Sequence, residues 1–221
     1  MGAGGPVGRG AVFLDRDGVI NRNVFDPASG GYEAPLIAAD FALAPGTLHG
    51  LRRLQATGFP LFVISNQPNY AKGKSSLAEL AAIDAKMRAE LKEAGIVLTR
   101  IDYCLHHPEG VVAGYSGACA CRKPSPYFLL RAMREFGLDA AQSWMVGDRE
   151  TDVQCGRAAG VRTILIDVSG GKTAADWVAA DLAAATEHIR GDAAMASAGF
   201  NVPRISPFRS PRAAPVPRWP A

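Results

Sequence analysis

The segment Ala11-Val12-Phe13-Leu14-Asp15-Arg16-Asp17-Gly18 places two acidic residues and a glycine directly behind four apolar residues. A short, wholly apolar run that ends in polar residues is typical of a buried strand in a parallel sheet. In open parallel sheets, ligands bind beyond the carboxyl ends of the strands. We therefore expect Asp15 and Asp17 to face a ligand-binding crevice.

On either side of this segment, short apolar runs alternate with patterns of helical period. The predicted further strands are residues 61–64, 101–104, 143–146 and 163–167, and the predicted helices are 47–57, 76–94, 127–136, 151–159 and 182–189. Alternating strands and helices indicate right-handed βαβ crossovers and a mostly parallel sheet. The predicted fold class is α/β.

The composition limits the class of protein. The chain has 221 residues, 48% of them apolar and 20% charged, with a mean hydropathy of +0.03. Collagen, coiled coil and a wholly disordered chain are excluded. No apolar run approaches the ~20 residues that a membrane helix needs, and the N-terminus lacks a signal-peptide pattern. We expect a cytoplasmic protein without a membrane partner.

Glycine, proline and charge divide the chain into three parts. We expect a flexible leader at residues 1–10, one domain at 11–190 and a disordered tail rich in proline and arginine at 191–221. The formal net charge is +3, but residues 202–221 hold four arginines and no acidic residue, which leaves −1 for the rest. A nucleic-acid-binding protein carries its basic residues on the folded domain. No nucleic-acid partner is expected.

Polar residues follow several of the predicted strands. Besides the two aspartates, Ser65-Asn66-Gln67 and Gly147-Asp148 come directly after strands, and Lys123 precedes a helix. Each alone would be a common turn residue. Together they predict three carboxylates, a hydroxyl and an ammonium at one edge of the sheet. Carboxylates suit Mg²⁺, and the set suits phosphoryl transfer; the glycine-rich loop of P-loop nucleotide hydrolases is absent.

Four segments carry a resemblance to a known family. They are Phe13-Leu14-Asp15-Arg16-Asp17-Gly18-Val19-Ile20-Asn21, Ser65-Asn66-Gln67, Cys121-Arg122-Lys123-Pro124 and Val146-Gly147-Asp148-Arg149-Glu150-Thr151-Asp152. In order and spacing they resemble the motifs of haloacid-dehalogenase (HAD) superfamily phosphatases, in the branch of heptose-bisphosphate and histidinol phosphatases. The resemblance extends over residues 11 to 190. It implies a three-layer sandwich around a parallel sheet.

The resemblance also implies roles for individual residues. Asp15 would be the nucleophile that forms an aspartyl-phosphate, and Asp17 the general acid and base. Mg²⁺ would bind the Asp15 carboxylate, the Asp17 main-chain carbonyl and Asp148. Asp152 would orient the segment around Asp148. Catalytic or substrate-binding roles would fall to Ser65, Asn66, Gln67, Arg122, Lys123 and Arg149.

Three of the four cysteines lie between residues 104 and 121. Cys104, Cys119 and Cys121 with His106 form a set that suits tetrahedral Zn²⁺, although the one-residue spacings are tighter than in common zinc fingers. A disulfide is the alternative, which a reducing compartment disfavours. The resemblance implies a structural zinc loop here, with His106 rather than His107 as the ligand.

The spacing of the motifs leaves no room for a large cap domain, so loops such as residues 22–35 are expected to select the substrate. The resemblance implies an enzyme that removes the 7-phosphate of a heptose bisphosphate. Because no extended exposed apolar helix face stands out, we expect a monomer. Two alternatives remain open. One is hydrolysis of histidinol phosphate or another small sugar phosphate, and the other is a catalytically silent binding module on the same fold.

Overall fold

The computed structural model describes residues 9–27 and 30–197. Its main sheet has six strands in the order β5-β4-β1-β6-β7-β8, and all neighbouring strands pair in parallel. The strands are β1 (Val12–Leu14), β4 (Leu61–Asn66), β5 (Arg100–Cys104), β6 (Trp144–Gly147), β7 (Arg162–Ile166) and β8 (Trp177–Ala179). A separate antiparallel hairpin is made of β2 (Val24–Asp26) and β3 (Gly31–Glu33).

Helices cover both faces of the sheet. They are α1 (Thr47–Ala56), α2 (Leu77–Glu93), α3 (Tyr127–Phe136), α4 (Glu150–Ala159) and α5 (Leu182–Ser197). Along β1, Val12 and Leu14 face a core with α1, α2 and α5, while Phe13 faces a core with α3 and α4. This alternation follows from the period of two in a strand. The α/β prediction and the three-layer sandwich are confirmed.

Local signals set most of the element ends. Ser76 and Glu79 form a reciprocal capping box at the start of α2, and α3 coincides with its predicted range. The other predicted strands and helices are present, with ends that differ by one or two residues. The exception is α5, which was predicted to end at 189.

The structure adds three strands that the sequence patterns did not predict. The segment 22–35, expected as a loop, contains the β2–β3 hairpin, and β8 forms one edge of the sheet. Each of these strands has only three residues and no fully buried apolar run, so periodicity gives no signal. Lys74 lies 3.5 Å from an Asp26 carboxylate oxygen and 3.3 Å from one of Glu33, which ties the hairpin to the segment before α2.

Two predicted boundaries need correction. Helix α5 continues to Ser197, beyond residue 190, and Asp192 on it pairs with Arg162 of β7. At the other end, Gly10 is buried, and the Arg9 carbonyl accepts a hydrogen bond from the Asp139 amide (3.1 Å). Residues 9–10 and 191–197 thus belong to the folded domain. The remainder of the predicted leader and tail lies outside the described residues. Among the described residues, no helix is both long and apolar enough to cross a bilayer.

Candidate active site

Three carboxylates meet at the carboxyl edge of the sheet. Asp15 directly follows β1, Asp148 directly follows β6, and Asp152 lies in the first turn of α4. Each contributes an oxygen to a group whose atoms all lie within 4.8 Å of one another. Gly18 permits this approach, because a Cβ at this position would lie 2.1 Å from Asp148 Oδ2, and its φ is +80°.

Lys123 is the cation of this cluster. Its Nζ lies 2.9 Å from Asp15 Oδ1 and 2.5 Å from Asp152 Oδ1, and it donates a hydrogen bond to the Ile64 carbonyl (2.9 Å). Burial alone would lower the pKa of Lys123, but the two carboxylates outweigh it and raise this pKa. Lys123 is therefore an ammonium held against Asp15, even though its side chain is almost wholly buried.

The cluster carries more negative charge than Lys123 compensates. Burial, with the nearby Asp15 and Asp152, raises the pKa of Asp148 to about 7. Burial also raises the pKa of Asp152 to about 6, although Lys123 opposes the rise. Asp148 Oδ1 is buried without a hydrogen-bond partner among the described residues. A buried carboxylate oxygen without a hydrogen bond, beside two further carboxylates, fits a hard divalent cation such as Mg²⁺.

The Asp17 carboxylate lies outside this group and is held by four donor atoms. It accepts hydrogen bonds from Arg16 Nε and Nη2, from Asn21 Nδ2 (3.0 Å) and from Gln67 Nε2 (2.5 Å). Its side chain therefore provides no ligand to the acidic cluster in this structure. The predicted metal contact of Asp17 was through its main-chain carbonyl, which the side-chain position does not affect.

Asn66, the last residue of β4, and Gln67, which follows it, both bond to other parts of the protein. The Gln67 side chain is buried and bonds to Asp17, Ser65 and Arg16. This placement argues against the predicted contact of Gln67 with substrate, because both ends of its amide are already used inside the protein. Asn66 bonds through both amide atoms to the main chain of Lys123 (3.0 and 3.1 Å).

The two predicted substrate-binding arginines lie at the rim. Arg122 is partly buried and donates to the His106 carbonyl (3.1 Å). Arg149 has a side chain that is 62% exposed, with Nε 3.9 Å from Asp148 Oδ1. Asn23, which the sequence did not single out, donates to Asp148 Oδ2 (3.3 Å) from the chain that leads into the hairpin. No sequence motif could have identified Asn23, because its contact with Asp148 joins residues that are 125 positions apart.

The four predicted zinc ligands come together. Cys119 Sγ lies 3.6 Å from Cys104 Sγ and 3.7 Å from Cys121 Sγ, and His106 Nδ1 lies 4.0 Å from Cys104 Sγ and 3.8 Å from Cys121 Sγ. A tetrahedron with Zn–S bonds of ~2.3 Å has S···S edges of ~3.8 Å, so the set fits Zn²⁺. All four cysteines are free, which contradicts the disulfide alternative.

Comparisons with known proteins place the chain in a class. A family model described as HAD-hydrolase-like matches residues 120–194. Among solved structures, a HAD-like phosphatase from Mesorhizobium loti has a TM-score of 0.70 at 28% identity, with 86% of this chain and 91% of that chain covered. The fold and the acidic site are those of a HAD-like phosphatase.

Closer relatives specify the family. The D-glycero-β-D-manno-heptose-1,7-bisphosphate 7-phosphatase of Yersinia pestis is 36% identical over 179 residues, with 78% of this chain and 91% of the relative covered. The D,D-heptose 1,7-bisphosphate phosphatase of B. bronchiseptica, solved with magnesium and phosphate, has a TM-score of 0.70 at 30% identity, covering 83% of this chain and 99% of that chain. The chain belongs to this family of heptose-bisphosphate phosphatases, which confirms the resemblance that its motifs predicted.

Proposed function

We propose that this protein is a Mg²⁺-dependent phosphatase that hydrolyses the 7-phosphate of D-glycero-D-manno-heptose 1,7-bisphosphate. The observation that carries the proposal is the convergence of Asp15, Asp148, Asp152 and Lys123 at the carboxyl edge of the sheet. A nucleophilic carboxylate, acidic metal ligands and an ammonium are the parts that phosphoryl transfer needs. Its place would be in the cytoplasmic supply of heptose for lipopolysaccharide or other surface glycans.

The two oxygens of Asp15 have different surroundings. Oδ1 accepts the Arg16 amide hydrogen bond (2.7 Å) and contacts the Lys123 ammonium. Oδ2 has no hydrogen bond among the described residues, so it is the oxygen that we assign to attack on phosphorus. The attack forms the Asp15–phosphate bond and breaks the bond between phosphorus and the sugar oxygen. Lys123 would neutralise charge on the phosphoryl group in the transition state.

Asp17 is assigned the proton transfers. It would give a proton to the departing sugar oxygen, and would then take one from the water that attacks the Asp15 phosphate. That second attack releases inorganic phosphate and restores both aspartates. Ser65, at the end of β4, is assigned to a phosphate oxygen, and the rim residues Arg122 and Arg149 to the rest of the substrate.

The metals are proposed on the donor sets. Asp15, Asp148 and the Asp17 carbonyl would hold Mg²⁺, which when bound supplies positive charge to the phosphoryl oxygens. Cys104, His106, Cys119 and Cys121 would hold a structural Zn²⁺. Because Cys121 is followed directly by Arg122 and Lys123, a rigid cysteine loop also fixes the main chain that carries both cations.

The sugar is proposed from the relatives and from the hairpin. The names of the relatives carry either the β or the α anomer of the heptose bisphosphate. The hairpin borders an open cavity of about 380 Å³ lined by Arg22, Asn23, Val24, Tyr32 and Asp40. Asn23 connects this cavity to Asp148. We assign the sugar to this side of the site.

A substrate panel tests the proposal. Phosphate release is measured with Mg²⁺ on both anomers of the heptose bisphosphate, on histidinol phosphate and on other sugar phosphates. We expect the highest kcat/KM for a heptose bisphosphate, and loss of turnover in Asp15→Asn. A higher value for histidinol phosphate would reject the assigned substrate, and absence of any Mg²⁺-dependent activity in the wild type would favour a binding module. A monomer in sedimentation experiments is also expected.

A further inference from the structure

Arg16 is a wholly buried arginine at the centre of the first motif. Its relative exposure is 0%, so its side chain does not reach the surface of the crevice in this structure. Burying a guanidinium is unfavourable unless its charge and its donors are compensated. The proposed reaction uses Asp15 and Asp17 on either side of Arg16 but gives Arg16 itself no role.

The contacts of Arg16 point mainly at Asp17. Nε lies 3.2 Å from Asp17 Oδ1, and Nη2 lies 3.0 Å from Oδ1 and 3.2 Å from Oδ2. Nη2 also donates to Gln67 Oε1 (2.8 Å), and Gln67 in turn donates to Asp17 and to Ser65. The guanidinium carbon lies 5.5 Å from the centre of the Tyr103 ring. A planar fork with fixed donors defines the orientation of a carboxylate more strictly than a lysine could.

We propose that Arg16 is a positioning residue that sets the orientation of Asp17 for proton transfer, with Gln67 linking both to Ser65. The proposal rests on the proposed function, because it needs Asp17 to act as the acid and base. This role accounts for an arginine between the two aspartates, because an apolar residue could fill the same space but could not donate hydrogen bonds to Asp17. It also gives Gln67 a role that its burial permits.

Two phosphate esters separate positioning from mere structural support. Departure of a sugar alkoxide needs a proton from Asp17, whereas 4-nitrophenolate is a stable leaving group and does not. The kcat/KM value reports the steps up to release of the leaving group, so later attack by water does not enter it. We therefore compare kcat/KM for the heptose bisphosphate and for 4-nitrophenyl phosphate in wild type and in Arg16→Met. Methionine is flexible enough to fill the space that the arginine leaves.

We expect Arg16→Met to lower kcat/KM for the sugar phosphate roughly 100-fold, because misplacing a reacting group by about 1 Å has an effect of this size. The kcat/KM for 4-nitrophenyl phosphate should stay nearly unchanged. Arg16→Lys should lie between wild type and Arg16→Met on the sugar phosphate. Arg88→Met is the matched control, since it makes the same replacement at an exposed arginine of α2 whose partner is Asp84 (2.6 Å), outside the acidic site. It should show no difference between the two esters.

Equal losses on both esters in folded Arg16→Met would overturn the positioning role. If Arg16→Met does not fold, as judged by circular dichroism, Gln67→Met takes its place, and a selective loss on the sugar phosphate is again expected. A wild type that hydrolyses neither ester would instead contradict the proposed function. The two failures are therefore distinguishable.

Discussion

At the scale of single residues, Asp148 shows how the site opposes stability. Its pKa of about 7 lies above the ordinary value of 3.8, chiefly because burial penalises the charged form. The folded state therefore binds a proton that the unfolded state releases between about pH 4 and pH 7, so this residue destabilises the metal-free protein increasingly as pH rises through that window. Asp148→Asn should raise the free energy of unfolding at pH 8 by on the order of 2–4 kcal/mol, and by little near pH 4.

Urea denaturation of metal-free wild type and Asp148→Asn at these two pH values measures the effect. Mg²⁺ provides the internal control, because it should stabilise the wild type at pH 8 and have little effect on the variant. A variant that is less stable than wild type at pH 8 without metal would contradict the assigned cause of the pKa shift. Turnover should be lost in the variant in either case.

At the scale of elements, the segment from Cys104 to Lys123 joins the cysteine cluster to the acidic cluster, where Lys123 contacts Asp15. Structural zinc sites contribute ~10–16 kcal/mol in small peptides, which is comparable to the stability of a whole domain. Here the sheet has two apolar cores of its own, so Cys119→Ser should disorder the loop and abolish turnover while circular dichroism of the helices persists.

Cys155→Ser is the matched control for the loop. Cys155 is buried in α4, outside the cluster, and its Sγ donates to the Ser125 carbonyl (3.2 Å), which a hydroxyl can also do. Zinc content by mass spectrometry should fall in Cys119→Ser and stay the same in Cys155→Ser. Full activity in a zinc-free Cys119→Ser sample would refute the coupling.

At the scale of the whole molecule, the end of the folded domain can be located by truncation. Asp192 pairs with Arg162, and its side chain is 9% exposed. Deleting residues 191–221 removes this partner of Arg162. We expect the free energy of unfolding to fall by on the order of 1–3 kcal/mol, a value between those typical of a surface ion pair and of a buried one. Deleting only residues 198–221 should change neither the unfolding temperature nor kcat/KM. Equal stability of both truncated chains would place the boundary at 190 after all.

The active-site motifs could be predicted because their signals are local. A buried strand needs a continuous apolar run, and a crevice at the strand ends needs polar residues directly behind it, so Asp15, Ser65 and Asp148 could be located without coordinates. The cysteine set was predictable for the same reason, since its ligand types are rare and lie close together along the chain. The hairpin and β8 were missed because three-residue strands at the surface have no periodic pattern.

The sequence alone therefore indicated the α/β layers, the polar residues at the ends of the strands and the residue types of the two candidate metal sites. Only the tertiary structure decided which way each of those side chains points. Gln67 and Arg16 turn inward to Asp17, Asn66 turns to the main chain of Lys123, and Asn23 reaches Asp148 across 125 residues. The reason is physical: beyond the end of a strand, the direction of a polar side chain is set by the partners that neighbouring strands bring within hydrogen-bonding distance, and those partners are distant in sequence.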